Sequence, residues 1–231
     1  MDHFQQIYTH EAAAYHRLIA AEDVEGNLLP ALQALTTFPG QRVLDIGSGT
    51  GRIPLLLHDK AATIIALDRY PAMLREQKRQ QDQVQARWSL VQGEMAQLPF
   101  GPAGFDVTIA GWVIGHLTEW AAAHWLPVAG QVVGEMERVT RPGGVLIIIE
   151  TLGTGRITPA APTPALAEYY VWLETDQGFH QLEISTDYRF NNLPEAITLT
   201  GFFFGPEMAE LVRTWEWIRV PEWTGIWWKF R

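Results

Sequence analysis

The stretch that decides the fold is Arg42-Val43-Leu44-Asp45-Ile46-Gly47-Ser48-Gly49-Thr50-Gly51. Its first five residues form a compact apolar run typical of a buried strand, and a helical pattern follows over residues 52–58. Glycine lets the backbone take tight conformations and lets a ligand lie against the main chain. Three alternating glycines exceed what a plain strand–helix turn requires. We therefore expect this turn to bind a ligand.

The alternation of strand and helix continues after the glycine turn. Short β-rich runs at 63–68, 86–91, 105–110 and 145–150 predict four more strands, with helices at 71–81 and 128–140. The second helix is predicted to stop at a strong breaker, Arg141-Pro142-Gly143-Gly144. Further on, the patterns predict a loop at 158–164 and helices at 164–176, 191–205 and 206–214. They also predict a strand at 183–190 and one or two strands over 217–231, interrupted at Pro221. This order is typical of a parallel sheet covered by helices.

The length of 231 residues fits a single α/β domain, residues 1–231. We expect three regions within it. Residues 1–37 form a helical segment that could close over a ligand, residues 38–150 hold the glycine turn, and residues 151–231 complete the sheet on the substrate side.

Composition and charge exclude several classes of function. The chain has no cysteine, which excludes disulfides and thiolate ligands of zinc. It has 17 Lys and Arg and 26 Asp and Glu, and the resulting net charge of −9 disfavours a nucleic-acid partner. No apolar run is long enough to span a membrane, and the first residues do not resemble a signal peptide. A soluble, cytoplasmic protein is expected.

The spacing of the glycines narrows the choice of ligand. A Walker-type phosphate loop needs a lysine after its last glycine, and the dinucleotide fingerprint needs its third glycine one residue later. Asp45 is also unsuited to an anionic pyrophosphate, whereas it suits a ligand with an ammonium group and no phosphate. S-adenosylmethionine fits that description. Asp68, at the end of the second strand, can accept both hydroxyls of a ribose, a feature shared with NAD enzymes.

Four motifs in order over about residues 40–150 resemble the class I S-adenosylmethionine-dependent methyltransferases. They are most similar to the small-molecule branch related to quinone-biosynthesis methyltransferases. The motifs are residues 43–51, residues 66–68, residues 93–100 followed by 105–107, and residues 141–144.

The resemblance implies a Rossmann-like, seven-stranded, mostly parallel sheet with helices on both faces and the last strand antiparallel. It also implies roles for site residues: Asp45 and the glycines at the methionine end, Asp68 at the ribose, and Glu94 with Met95 at the adenine. Many relatives carry Asp in place of Glu94. The full cofactor site expected from the resemblance is Asp45, Gly47, Ser48, Gly49, Gly51, Asp68, Arg69, Glu94, Met95, Ala110 and Tyr15.

Methyl transfer needs no catalytic side chain, but a general base helps with some acceptors, and histidine is the usual choice. His116 follows the fourth strand and is the candidate base; its alternative role is a structural histidine beside the cofactor. Tyr15 is expected in a lid over the sulfonium, and Trp112 either lines a pocket or packs on a helix. The histidines have no metal-ligand spacing, so no metal is expected.

The sequence thus predicts methyl transfer from S-adenosylmethionine to a small-molecule acceptor, leaving S-adenosylhomocysteine. Two alternatives stay open: a non-catalytic protein that binds the cofactor, and an NAD-dependent oxidoreductase. Whether O, N, C or S accepts the methyl group is open, as is the choice between a monomer and a homodimer.

Overall fold

The computed structural model describes residues 2–61 and 63–231 and contains a seven-stranded sheet. The strand order across the sheet is β3-β2-β1-β4-β5-β9-β6. The strands are β1 (Arg42–Ile46), β2 (Thr63–Asp68), β3 (Ser89–Gln92), β4 (Phe105–Gly111), β5 (Thr140–Thr154), β6 (His180–Ser185) and β9 (Glu222–Phe230). A separate two-stranded ribbon is formed by β7 (Tyr188–Arg189) and β8 (Arg219–Val220).

The pairing of the strands confirms the predicted fold class. β1 to β5 pair in parallel, whereas β9 runs antiparallel to both of its neighbours, β5 and β6. The chain order reverses between β1 and β4, which is the switch point where ligands bind at the carboxyl ends of such sheets. Because β9 is antiparallel, its first residue, Glu222, lies at that same edge.

Helices cover both faces of the sheet. Strand β5 buries Leu146 and Ile148 in one core and Ile147 and Ile149 in the other, so its run of apolar residues faces a core on either side. The helices are α1 (His3–His10), α2 (Ala12–Ile19), α3 (Leu28–Leu35), α4 (Arg52–Leu57), α5 (Pro71–Gln83), α6 (Leu117–Trp120), α7 (Trp125–Val139), α8 (Pro164–Thr175), α9 (Leu193–Phe204) and α10 (Pro206–Thr214).

The amino-terminal helices lie over the carboxyl edge of the sheet. Helix α1 contacts α5, and α2 contacts both α5 and α9. His3 bonds the backbone oxygen of Phe203 at 3.1 Å, and the rings of Phe4 and Phe203 lie 5.2 Å apart. The amino-terminal helices are thus attached to α9.

Several predicted strand boundaries were wrong. β3 begins at Ser89 instead of residue 86, because the Gln81 side chain holds the carbonyl of Trp88 at 2.9 Å. Helix α7 ends at Val139, before the breaker at 141–144, as predicted. However, β5 begins at Thr140 and ends at Thr154 instead of spanning 145–150, and within the breaker Gly143 N donates to the carbonyl of Arg231 at 3.0 Å. The predicted strand 183–190 splits into β6 and β7, because Asp187 turns the chain by binding the Ser185 hydroxyl.

Within residues 2–61 and 63–231, no helix combines the length and hydropathy that crossing a membrane requires. The same residues contain no group of three or more His, Asp or Glu arranged to hold a metal ion.

Candidate functional site

The glycine turn has a backbone that other residues would strain. Gly47, Gly49 and Gly51 have φ angles of 66°, 53° and 96°. A Cβ atom on Gly47 would lie 2.4 Å from Cγ2 of Val113, so both the conformation and the space require glycine there. The turn therefore presents bare main chain to the cavity beside it.

Asp45 is the next-to-last residue of β1, just before this turn. Its side chain is only 2% exposed, and its Oδ2 has no hydrogen-bond partner among the described residues. Burial, and next the charge of Asp68, raise the pKa of Asp45 well above its usual value. A buried carboxylate oxygen without a donor fits the ammonium group of a methionine moiety, which would supply both the hydrogen bond and the compensating charge.

Asp68 ends β2 and faces the turn from the other side. Its Oδ2 accepts the amide of Gly49 at 2.8 Å, and its Oδ1 accepts the amide of Tyr70 at 2.7 Å. Burial raises the pKa of Asp68 to about 6, although these amide bonds act in the opposite direction. Each carboxylate oxygen has a further lone pair, so the group can still accept two ribose hydroxyls.

Three adjoining cavities follow the carboxyl edge of the sheet. The first, of about 70 Å³, lies between Asp68 and helices α1 and α2. The second, about 90 Å³, contains Asp45 and several buried charged groups, and we call it the polar cavity. The third, about 340 Å³, has mainly aromatic and apolar walls, and we call it the aromatic cavity. Trp112, whose φ is 52°, lines all three.

An aromatic cluster closes the first cavity. The Tyr8 hydroxyl hydrogen-bonds Nε2 of His116 at 2.8 Å, joining α1 to the segment after β4. The rings of Tyr8 and Tyr15 meet edge to face at 5.4 Å, and Tyr15 in turn contacts Phe203 at 5.5 Å. This cluster forms an aromatic wall of the first cavity.

His116 is neutral near pH 7. Burial lowers its pKa to about 4, and its ring stacks on Trp120 at 4.6 Å with an interplanar angle of 6°. Its Nε2 is occupied by Tyr8, yet the side chain lines both the first and the aromatic cavity.

The predicted site residues fall into three groups. Most line the first cavity: Tyr15, Gly47, Gly49, Asp68, Arg69, Glu94, Met95 and His116. Asp45 and Ser48 line the polar cavity. The third group, Ala110 and Gly51, lines none of the three cavities. Ala110 is fully buried, one residue before Gly111 and Trp112, which form part of the wall of the first cavity. Gly51 packs against the side chain of Gln77. Arg69 and Glu94 approach to 3.5 Å at the exposed rim.

The sequence reasoning missed a buried charged cluster in the polar cavity. The guanidinium of Arg52 donates to Glu22 at 2.6 Å and lies 3.9 Å over the ring of Trp112. The Thr151 hydroxyl donates a hydrogen bond to Oε1 of Glu222 at 2.7 Å. Arg52 could have been suspected because it follows Gly51 directly. Glu22 and Glu222 stand in stretches that carry no motif.

Comparisons with known proteins agree with this site. Residues 44–148, somewhat under half of the chain, match the methyltransferase domain family. A demethylmenaquinone methyltransferase from Beutenbergia cavernae is 33% identical over 140 residues, which are 61% of this chain and 51% of the relative. A malonyl-[acyl-carrier protein] O-methyltransferase from Serratia marcescens is 27% identical over 201 residues, 83% of this chain and 72% of the relative.

Among solved structures, an S-adenosylmethionine-dependent methyltransferase from Aquifex aeolicus has the same fold, with a TM-score of 0.58 and 15% sequence identity. It covers 87% of this chain, which in turn covers 88% of that structure.

The fold is that of the Aquifex aeolicus methyltransferase structure, and residues 44–148 match the methyltransferase domain family. The relatives to which the chain is similar include demethylmenaquinone methyltransferases. The chain spans about half the length of the first relative, at 51%.

Proposed function

We propose that this protein transfers the methyl group of S-adenosylmethionine to a small-molecule acceptor. The observation that carries the proposal is the pair of buried carboxylates, Asp45 and Asp68, on either side of a bare glycine turn. Their spacing along the edge suits an amino-acid end and a ribose end of one ligand. The adjoining aromatic cavity then supplies space for an acceptor.

The cofactor would be held by residues of the first and polar cavities. Asp68 would accept the ribose hydroxyls, and Asp45 would bind the ammonium group of the methionine moiety. Leu67 and Met95, which line the first cavity beside the exposed Glu94, would contact the adenine. Ala110 would support this wall from behind.

When bound, S-adenosylmethionine supplies an activated methyl group on a sulfonium. The protein's part is to position the acceptor and to exclude water, and orientation alone can contribute about 7–11 kcal/mol. Tyr15 and Trp112 would separate the reacting groups from solvent. His116, neutral and hydrogen-bonded to Tyr8, is better placed to fix the lid than to take a proton, although it remains the candidate base.

A small acceptor is supported by the enclosure of the site. The aromatic cavity is bounded by Phe4 of α1 and by Phe203 and Phe204 of α9, so it has walls on the lid side as well as on the sheet side. The net charge of −9 also disfavours nucleic acid.

The proposal is tested by thermal unfolding with S-adenosylmethionine, S-adenosylhomocysteine and NAD, followed by turnover assays. We expect both sulfur ligands to raise the melting temperature and NAD to leave it unchanged. Stabilisation by NAD alone would favour the oxidoreductase. Binding of the sulfur ligands without formation of S-adenosylhomocysteine across a broad acceptor panel would favour the non-catalytic alternative.

A further inference from the structure

The polar cavity contains a buried acid that the cofactor does not require. Glu222, the first residue of β9, is only 2% exposed. Its Oε1 accepts the Thr151 hydroxyl at 2.7 Å, while its Oε2 has no partner among the described residues. A buried carboxylate oxygen without a donor is costly, so a group that supplies one is expected at this position.

The charges around Glu222 are unbalanced. Four charged side chains line the polar cavity: Glu22, Asp45, Arg52 and Glu222. Arg52 is paired with Glu22 at 2.6 Å and its charge also acts on Glu222, while Asp45 suits the ammonium of the cofactor, so a single cation serves both glutamates. Burial, and next the charge of Glu22, raise the pKa of Glu222 to about 8. A positive charge beside Glu222 would remove this penalty.

The walls shared by the polar and aromatic cavities are aromatic. Trp112, Phe203 and Phe204 line both. The faces of such rings attract cations and also pack against apolar groups. The aromatic cavity adds a second buried carboxylate, Glu150, whose Oε1 accepts the amide of Gly115 at 2.8 Å.

The remaining charged groups of the aromatic cavity are Glu119 and the exposed Arg156, and His116 there is neutral near pH 7. Acidic groups therefore dominate the interior. Burial raises the pKa of both Glu150 and Glu222 to about 8, so both acids are largely protonated at pH 7. A basic amine would favour the ionised form of either acid and pair with it, whereas a carboxylate or phosphate on the acceptor would not.

From this arrangement we infer that the acceptor is an apolar amine whose basic nitrogen is recognised by Glu222 and whose body packs against Trp112, Phe203 and Phe204. The inference rests on the proposed function and specifies the acceptor class of the same site. It concerns recognition of the acceptor and assigns no proton transfer to Glu222.

The test uses probes that share one ring system and differ in charge. Tryptamine, tryptophol and indole-3-acetate are titrated at pH 7 into the full chain saturated with S-adenosylhomocysteine, with heat as the readout. The series 2-phenylethylamine, 2-phenylethanol and phenylacetate repeats the comparison with a smaller ring. We expect at least one amine to bind tenfold or more tightly than its alcohol, and the acids to bind most weakly.

Glu222→Gln removes the charge and keeps the shape of the side chain. We expect the variant to lose the preference for amine over alcohol by about tenfold and to bind S-adenosylhomocysteine as the unmodified protein does. Glu168→Gln, on the exposed face of α8, is the matched control and should change neither quantity.

Each outcome separates this inference from the proposed function. If S-adenosylhomocysteine fails to bind the unmodified protein, the proposed function itself is wrong. If S-adenosylhomocysteine binds but no amine binds more tightly than its matching alcohol, the acceptor class is wrong and the proposal of methyl transfer stands. If Glu222→Gln weakens S-adenosylhomocysteine while the amine preference persists, Glu222 belongs to the cofactor site and the inference is overturned.

Discussion

The hydroxyl of Tyr8 and Nε2 of His116 lie 2.8 Å apart, although 108 residues separate them in the chain. Tyr8 belongs to helix α1, and His116 stands just after β4, where ligands of this fold bind. Tyr8 is buried, His116 is half-buried, and both line the first cavity. One hydrogen bond thus joins α1 to the segment after β4 at this cavity.

Replacing Tyr8 by Phe should loosen the lid. The change leaves the buried Nε2 of His116 without a partner, which should cost about 1–3 kcal/mol of unfolding free energy. We also expect S-adenosylhomocysteine to dissociate faster, as measured by stopped-flow fluorescence. Tyr170→Phe is the control, because it also removes a hydrogen bond, to the carbonyl of Thr151 at 2.7 Å, away from the lid. Equal dissociation rates in the two variants would contradict this role.

Gly47→Ala should disrupt the glycine turn. Gly178 provides the control, because its φ of 71° resembles the 66° of Gly47 but a Cβ atom there meets nothing within 4 Å. Gly178→Ala should therefore cost only the backbone strain, about 1 kcal/mol. Gly47→Ala also forces a clash with Val113, so we expect a larger loss in urea unfolding and at least tenfold weaker binding of S-adenosylhomocysteine. If the two variants lost similar amounts of stability and affinity, the close packing of Gly47 against Val113 would be refuted.

Breaking the buried pair of Arg52 and Glu22 should be strongly destabilising. Arg52→Gln leaves the carboxylate of Glu22 unpaired near Glu222, and removal of one partner of a buried pair typically costs about 3–5 kcal/mol. Adding Glu22→Gln should recover at least half of that loss in denaturant unfolding. The exposed pair of Arg213 and Glu210 serves as the control, and its disruption should cost less than about 1 kcal/mol. A double variant no more stable than Arg52→Gln would contradict this account.

Glu150 should make stability depend on pH. Burial raises its pKa from 4.5 to about 8, so the folded protein retains a proton that the unfolded chain loses. This contribution to stability is complete below about pH 4.5 and disappears as the pH rises through 8, a loss of up to about 5 kcal/mol. Glu150→Gln should remove this slope. The measurement is the unfolding free energy of the variant and of the unmodified protein at pH 5 and at pH 9. If the difference between the two proteins is the same at both pH values, Glu150 does not cause the pH dependence.

The sequence carried enough information for the sheet and for the grouping of side chains around the glycine turn. Strands β1 and β2 were predicted with their observed ends, because each is a short apolar run bounded by Gly or Asp. Asp45, Asp68 and the glycines meet because parallel strands end at one edge of the sheet.

The acceptor half could not be predicted in the same way. Glu22 lies just after α2, and Glu222 begins the antiparallel strand β9, 200 positions further along the chain. Only tertiary packing brings these side chains together with Arg52, and no local pattern encodes it. The start of β5 was missed for a related reason, since pairing with Arg231 keeps residues 141–144 within that strand.

The most direct test of the account is calorimetric titration of S-adenosylhomocysteine into the unmodified protein and into Asp68→Asn. The two ribose hydroxyls bonded to a charged acceptor contribute about 1.5–3 kcal/mol each, so losing the charge should weaken binding at least tenfold. Asp82→Asn, on the exposed face of α5, is the control and should bind as the unmodified protein does. We predict binding at one site per chain and its loss in Asp68→Asn alone. No binding to the unmodified protein, or equal affinity in all three proteins, would contradict the assignment of this edge as the cofactor site.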